Sequence, residues 1–114
     1  MRYRVERALA VDGDLELIFD HLADAYGDFG DDRAEAFTRA AHRITGIQDE
    51  MEALGRQPHQ GTGRPELGPT VRSFSKSRAV FYFEIDDDRA VIRVLAVFFG
   101  GQDHTRHMLT RMKP

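Results

Sequence analysis

Two apolar, β-prone runs in the C-terminal third of the chain limit its fold more than any other feature. They are residues 79–85 (AVFYFEI) and 90–99 (AVIRVLAVFF), and the polar residues 86–89 (DDDR) lie between them. So short a connection predicts an antiparallel hairpin. The second run is the most apolar stretch of the chain, which predicts a central strand covered on both faces for much of its length.

The region before this hairpin has the periodicity of two amphipathic helices. Apolar residues recur at helical spacing over residues 15–26 and again over residues 33–54. Asp32 followed by Glu35 predicts a variant capping box at the start of the second helix. Because only a few residues join the two segments, they are predicted to form an antiparallel helical hairpin.

Shorter segments complete the predicted order of elements. Residues 3–11 predict a first strand, followed by a turn at residues 12–14 (DGD). Residues 56–70 contain three prolines and three glycines, which predict a loop without helix or strand. Residues 71–74 predict a short strand before the hairpin.

The chain is predicted to end in a short helix over residues 103–112. The residues expected to dock this helix are Met108, Leu109 and Met112, while those expected to stay in solvent are Arg106 and Arg111. The full order is a strand, two helices, a three-strand and mostly antiparallel meander, and a terminal helix. We therefore predict an α+β, two-layer domain in which the helical hairpin covers one face of the sheet, with residues 1–114 forming a single domain.

Composition restricts function more than fold. The absence of cysteine excludes disulfides, a thiolate nucleophile and a cysteine-ligated metal, and it fits a cytoplasmic protein. No signal peptide is visible, and the apolar run 94–101 is too short to span a bilayer. Residues 1–55 hold 6 basic and 13 acidic side chains (net −7), whereas residues 56–114 hold 10 and 6 (net +4). A basic half can attract an acidic partner or a phosphate backbone.

Common cofactor motifs are missing from the sequence. Residues 61–63 (GTG) do not lie between a predicted strand and a predicted helix, and no Gly-Lys-Ser/Thr follows, so Rossmann and P-loop proteins are excluded. His104 and His107 are three residues apart and share a helix face, but a metal site would need Asp103 or His59 as well. We expect His59 to be solvated in its loop, and we expect neither a metal nor another cofactor.

The C-terminal half carries three further segments with a recognisable pattern. They are residues 63–74 (GRPELGPTVRSF), 81–86 (FYFEID) and 91–104 (VIRVLAVFFGGQDH). Together with the preceding strand–helix–helix–loop order, they resemble the RelE/ParE toxin superfamily, and most of all its ParE, or plasmid-stabilisation, branch. The sequence departs from that pattern at Phe83 and Gln102, where the branch typically has arginine.

The resemblance implies a toxin that poisons a core process and is held inactive by a co-expressed antitoxin. ParE-like members poison DNA gyrase without covalent chemistry of their own, whereas RelE-like members cut messenger RNA on the ribosome. We expect a ParE-like, cytoplasmic toxin that binds neither a membrane nor a specific DNA sequence. The alternatives are a RelE-like endonuclease and an inactive homologue that serves only as a protein-binding module.

A nuclease would need general acid–base groups and cations for the phosphorane charge. The candidate set is Arg72, Tyr82, Arg93, His104 and His107. In this interpretation Arg72 and Arg93 meet on adjacent strands; in the alternative, they pair with Glu84 or extend along apolar neighbours. Tyr82 can equally fill the core. Because the chain has only two lysines and is net acidic, the composition favours the ParE-like interpretation.

The resemblance also implies a surface for the antitoxin, whose acidic or amphipathic segment wraps around such toxins. The basic residues expected to meet its carboxylates, or the cellular target, are Arg72, Arg78, Arg93, Arg106 and Arg111. Phe98 and Phe99 either form an apolar patch that the partner buries or belong to the core.

Overall fold

The structure, a computed structural model, describes residues 2–100 and 104–112 and has the predicted α+β architecture. In chain order the elements are β1 (Arg4–Arg7), α1 (Ala10–Asp28), α2 (Arg33–Ala53), a 3-10 turn (Leu54–Arg56), β2 (Thr62–Gly63), β3 (Val71–Lys76), β4 (Ala79–Asp86), β5 (Val91–Phe99) and α3 (His104–Arg111). Within the described ranges, no helix has the length and apolarity that a membrane span requires.

The sheet has five strands in the order β1-β5-β4-β3-β2. Strands β3, β4 and β5 form the predicted antiparallel meander. β1 lies parallel to β5, with Val5 opposite Ile92. The segment 56–70, predicted to be loop throughout, contains β2, which pairs antiparallel with β3 and places Gly63 opposite Arg72. The loop prediction is therefore wrong at these two residues, because pairing with β3 makes a strand from a sequence without strand pattern.

Side chains of the central strands are buried on both faces of the sheet. On one face, Phe81, Phe83 and Ile92 pack against the helical hairpin. On the other face, a smaller cluster is closed by α3 and by the loop that precedes β3. Its buried members are Leu67, Val71, Tyr82, Ala96, Phe98 and Met108. The two-sided burial predicted for the last strand is confirmed.

The boundaries at the N-terminus differ from those predicted. β1 ends at Arg7, and residues 12–14 lie inside α1 rather than in a turn. The helix starts early because both Val11 and Asp14 are buried under the sheet. Asp14 accepts a hydrogen bond from the Val97 N–H at 3.0 Å. That partner is 83 residues away in the sequence, so no local pattern contains it.

The predicted cap of α2 is present, whereas α3 docks on the sheet through fewer residues than predicted. The Asp32 carboxylate accepts a hydrogen bond from the Glu35 N–H at 2.8 Å, which confirms the predicted N-cap of α2. In α3, only Met108 of the three expected docking residues is buried, while Leu109 and Met112 are exposed. The short helix presents a single apolar position to the sheet, and this was not predicted.

Candidate functional site

Arg72 and Arg93 lie on strands that are not neighbours, because β4 separates β3 from β5. Arg72 is opposite Phe83, and Arg93 is opposite Glu84. Consecutive residues of a strand point to opposite faces, so the two arginines also lie on opposite faces of the sheet. The alternative in which they meet on adjacent strands is therefore wrong.

Two of the other candidate nuclease residues, Tyr82 and His107, pack against one ring, that of Phe98. Tyr82 is only 2 % exposed, and its ring packs edge-on against Phe98 with centroids 5.9 Å apart. His107 on α3 stacks on the same phenylalanine at 5.7 Å. The side chain of His104 lies outside the part of the chain that the structure describes. Tyr82 is therefore a core residue, as one of the two interpretations of the sequence proposed.

Arg93 lies among carboxylates. The strand register places it between Glu84 on β4 and Glu6 on β1. The same groove is lined by Asp86 at the end of β4 and by Asp88 of the turn that follows. An arginine in these surroundings already has anionic neighbours, which weakens its attraction for the carboxylates of a partner.

Basic side chains gather at the C-terminal end of β5. The guanidinium groups of Arg43 and Arg78 lie 5.4 Å and 5.7 Å from the ring centroid of Phe99. Arg43 also donates a hydrogen bond to the carbonyl oxygen of Ser77. Arg106 is exposed on α3, which begins shortly after β5. Arg43 was not predicted from the sequence, because only the fold brings α2 to the turn before β4.

Arg111 is exposed, as predicted, but it also forms an ion pair with Asp14, here called the Asp14–Arg111 clip. Its two terminal nitrogens donate to the two carboxylate oxygens at 2.7 Å and 2.8 Å. The hydrogen bond to Asp14 raises the pKa of Arg111 above its usual value. β1 ends opposite Val94, so the edge of β5 is not paired with β1 beyond that residue. The clip occupies this open edge: Asp14 accepts a hydrogen bond from the Val97 N–H, and Arg111 donates one to the Leu95 carbonyl oxygen.

A cavity of about 210 Å³ lies beside the clip, between α1, β5 and α3. Its polar lining includes His21 and His107, and its apolar lining includes Leu17, Phe98 and Phe99. The two phenylalanines are buried, so the interpretation of them as core is correct. The cavity has the mixed lining of a small binding pocket.

A second polar cluster lies at the opposite end of β5. Asp87, in the turn between β4 and β5, accepts hydrogen bonds through one oxygen from the Tyr3 hydroxyl at 2.7 Å and from His59 Nε2 at 2.8 Å. The bond from Tyr3, followed by that from His59, lowers the pKa of Asp87. The same bond raises the pKa of Tyr3. His59 is exposed, as predicted, but its partners were not predicted, because long stretches of chain separate them.

No group of three or more metal-ligating side chains occurs within residues 2–100 and 104–112. His59 pairs with Asp87 just before β5 starts, whereas His107 stacks on Phe98 near the end of that strand. Asp103, the other ligand considered, lies outside the described residues, as does Gln102.

No protein-family model and no curated protein sequence matches the chain. Solved structures do match it. One is the chromosomal ParDE toxin–antitoxin system from P. aeruginosa, with a TM-score of 0.65, 19% identity, and coverage of 87% of this chain and 97% of that one. Another is the toxin–antitoxin complex RelBE2 from Mycobacterium tuberculosis, with a TM-score of 0.63, 14% identity, and coverage of 90% and 95%. A third is a mutant of the E. coli toxin RelE in the free state, with a TM-score of 0.60, 8% identity, and coverage of 97% of both chains.

These likenesses define the class of fold as that of small bacterial toxins. More particularly, the chain has the RelE/ParE fold over nearly its whole length. The resemblance seen in residues 63–104 is thus confirmed at the level of the fold.

Proposed function

We propose that the chain is the toxin of a type II toxin–antitoxin pair, that it acts in the ParE-like manner by binding DNA gyrase, and that a cognate antitoxin neutralises it in the cytoplasm. The RelE/ParE fold supports the toxin class. The separation of Arg72 from Arg93 and the burial of Tyr82 support binding over RNA cleavage.

Metal-independent RNA cleavage requires a base, an acid and a cation around one phosphate. Arg72 and Arg93 lie on opposite faces of the sheet, and the second of them faces carboxylates. A toxin that works by contact needs no such cluster, so the geometry favours inhibition by binding.

Two assays side by side test this function: DNA supercoiling by gyrase, and cleavage of messenger RNA on translating ribosomes, each with toxin freed from its antitoxin. We expect loss of supercoiling with intact message. The matched variant is Tyr82→Phe, which removes only a hydroxyl from a packed ring and should inhibit like the parent chain. Cut message together with normal supercoiling would contradict the proposal and return attention to His104 and His107.

We further propose that the antitoxin's carboxylates bind the basic surface at the end of β5, with Arg78 and Arg106 as principal contacts. Charge reversal of each to Glu should weaken antitoxin binding about tenfold, mostly through slower association. Reversal of Arg93, which already lies beside Glu6 and Glu84, should change it much less. Equal losses at all three positions, measured by surface plasmon resonance, would show that the antitoxin covers the acidic groove too.

A further inference from the structure

A cleft of about 360 Å³ opens between the loop after α2 and the ends of β3 and β4. Pro65, Pro69 and Ile85 give it an apolar lining, and Arg72 and His59 are also part of its wall. Concave sites of this size, mainly apolar with a few polar groups, are where small ligands bind, and their volumes start at about 300 Å³. None of the functions proposed above uses this cleft.

Arg72 is a half-buried cation that has no carboxylate partner within the described ranges of the chain. Its Nε donates to the Gln60 carbonyl oxygen at 2.9 Å, and one terminal nitrogen donates to the Gly61 carbonyl oxygen at 3.0 Å. These bonds fix the guanidinium plane but leave its charge without a counter-ion. A guanidinium has five N–H donors, so three remain after these two bonds.

His59 gives the same cleft a second donor only in its protonated form. A carboxylate only accepts hydrogen bonds, so the contact with Asp87 assigns a proton to His59 Nε2, and Nδ1 is an acceptor while the ring is neutral. Asp87 also lines the cleft, and one of its oxygens accepts both from His59 and from the Tyr3 hydroxyl, so its hydrogen bonds go to groups other than Arg72. When the ring is protonated, Nδ1–H becomes a second cationic donor beside the guanidinium.

We propose that this cleft binds the phosphate group of a small phosphorylated molecule of about the size of a mononucleotide, with Arg72 as its charge partner and His59 as a second donor. A phosphate monoester offers three terminal oxygens and close to two negative charges, and so it can use more of these donors than a carboxylate can. The apolar wall of Pro65, Pro69 and Ile85 takes the organic part of the ligand. The inference does not depend on the toxin activity, because the cleft and the basic surface at the end of β5 lie apart.

Isothermal titration calorimetry on the full chain tests the site, with AMP, inorganic phosphate and glutarate as probes. We expect saturable binding of AMP and weaker binding of phosphate, with glutarate weakest. Arg72→Gln should weaken AMP binding about tenfold or more, since a charge-assisted contact is lost. The matched control is Arg56→Gln, which changes an exposed arginine outside the cleft and should bind as the parent does.

Because Arg72 also anchors the loop, circular dichroism must show that its variant folds, and His59→Gln provides a second test at an exposed position. We expect His59→Gln to weaken AMP binding several-fold while leaving the fold intact. The proposal is overturned if AMP and phosphate do not bind, or if both cleft variants bind them like the parent. Glutarate binding as tightly as AMP would make the ligand a carboxylate. A single-stranded oligoribonucleotide binding more tightly than AMP would make it a nucleic acid.

Discussion

At the scale of single residues, the most informative side chain is a carboxylate in the apolar stripe of α1. Asp14 is 5% exposed and lies on the same helix face as Val11, Leu15 and Ile18. A buried charge is costly unless it is paired and hydrogen-bonded, and Arg111 with the Val97 N–H supplies both. An acid at a core position of an amphipathic helix was the available sequence signal for this site.

Asp14→Ala should lower the free energy of unfolding by about 2–3 kcal/mol, because it leaves the Val97 N–H and a partly buried guanidinium without their partner. Urea unfolding measures the loss. Asp12→Ala, which breaks the exposed ion pair with Arg7 at 3.1 Å, is the control and should cost less than about 1 kcal/mol. Similar losses in the two variants would mean that the clip stabilises no more than a surface pair.

The Tyr3–Asp87–His59 cluster makes a prediction about pH. The pKa of Asp87 is held below its model-compound value of 3.8 mainly by the Tyr3 hydroxyl, so Tyr3→Phe should raise it towards that value. Because the folded-state pKa of Asp87 is lowered, the hydrogen bonds to its carboxylate stabilise the fold above the unfolded-state pKa. This stabilisation is lost as pH falls through the folded-state pKa. Carboxyl NMR titration of both chains checks the shift, and an unchanged Asp87 would contradict the assigned cause.

At the scale of elements, α1 carries an unfavourable charge pattern on its exposed face. Its exposed acids recur every four residues, at Asp12, Glu16, Asp20, Asp24 and Asp28. Like charges at this spacing face each other on a helix and destabilise it. Packing of the opposite face against β5 and α2 therefore holds α1 in place, rather than its surface charges.

Asp20→Lys should stabilise the chain by about 1 kcal/mol, since two repulsions become two attractions. Asp20→Asn removes only the repulsions and should give roughly half of that gain. Thermal unfolding at low ionic strength measures both, and added salt should shrink the difference. Equal effects of Lys and Asn would show that the new attractions contribute nothing.

The helix α3 depends on one apolar anchor and on the clip. Met108→Ala should cost about 2–4 kcal/mol, because the residue is fully buried against the second face of the sheet. Leu109→Ala, at the neighbouring residue that is 44 % exposed, should cost under about 1 kcal/mol and serves as the control. Denaturant unfolding distinguishes them, and two small losses would mean that α3 is not part of the stable core.

At the scale of the whole molecule, both apolar clusters share the strands β4 and β5. Phe81 and Phe83 belong to the cluster under the helical hairpin, whereas Tyr82 between them belongs to the cluster under α3. One strand thus contributes to both clusters through alternate residues. Loss of either cluster exposes the same strands, which couples the two faces energetically.

We therefore predict that the chain unfolds as one cooperative domain. Helix content, followed by far-ultraviolet circular dichroism, and tyrosine packing, followed in the near-ultraviolet, should change at the same urea concentration. The coupling through β4 is the physical reason. An earlier near-ultraviolet transition would show that the α3 side unfolds separately and that the single-domain prediction needs revision.

Local patterns alone gave the helical hairpin, its cap at Asp32, the antiparallel meander and the two-sided burial of β5. Each of these depends on periodicity, capping or turn chemistry between near neighbours in the chain. The motifs of residues 63–104 also pointed to the RelE/ParE fold. The candidate sites were harder to predict than the fold, because local patterns do not show which distant side chains meet.

Tertiary structure decided everything that joins distant residues. It ended β1 at Arg7 and began α1 early, because Asp14 must reach the open edge of β5. It inserted β4 between β3 and β5 and so separated Arg72 from Arg93. It also brought Tyr3, His59 and Asp87 together from three segments. Periodicity assigns a residue to a face of its own element, whereas strand order and packing determine what that face contacts.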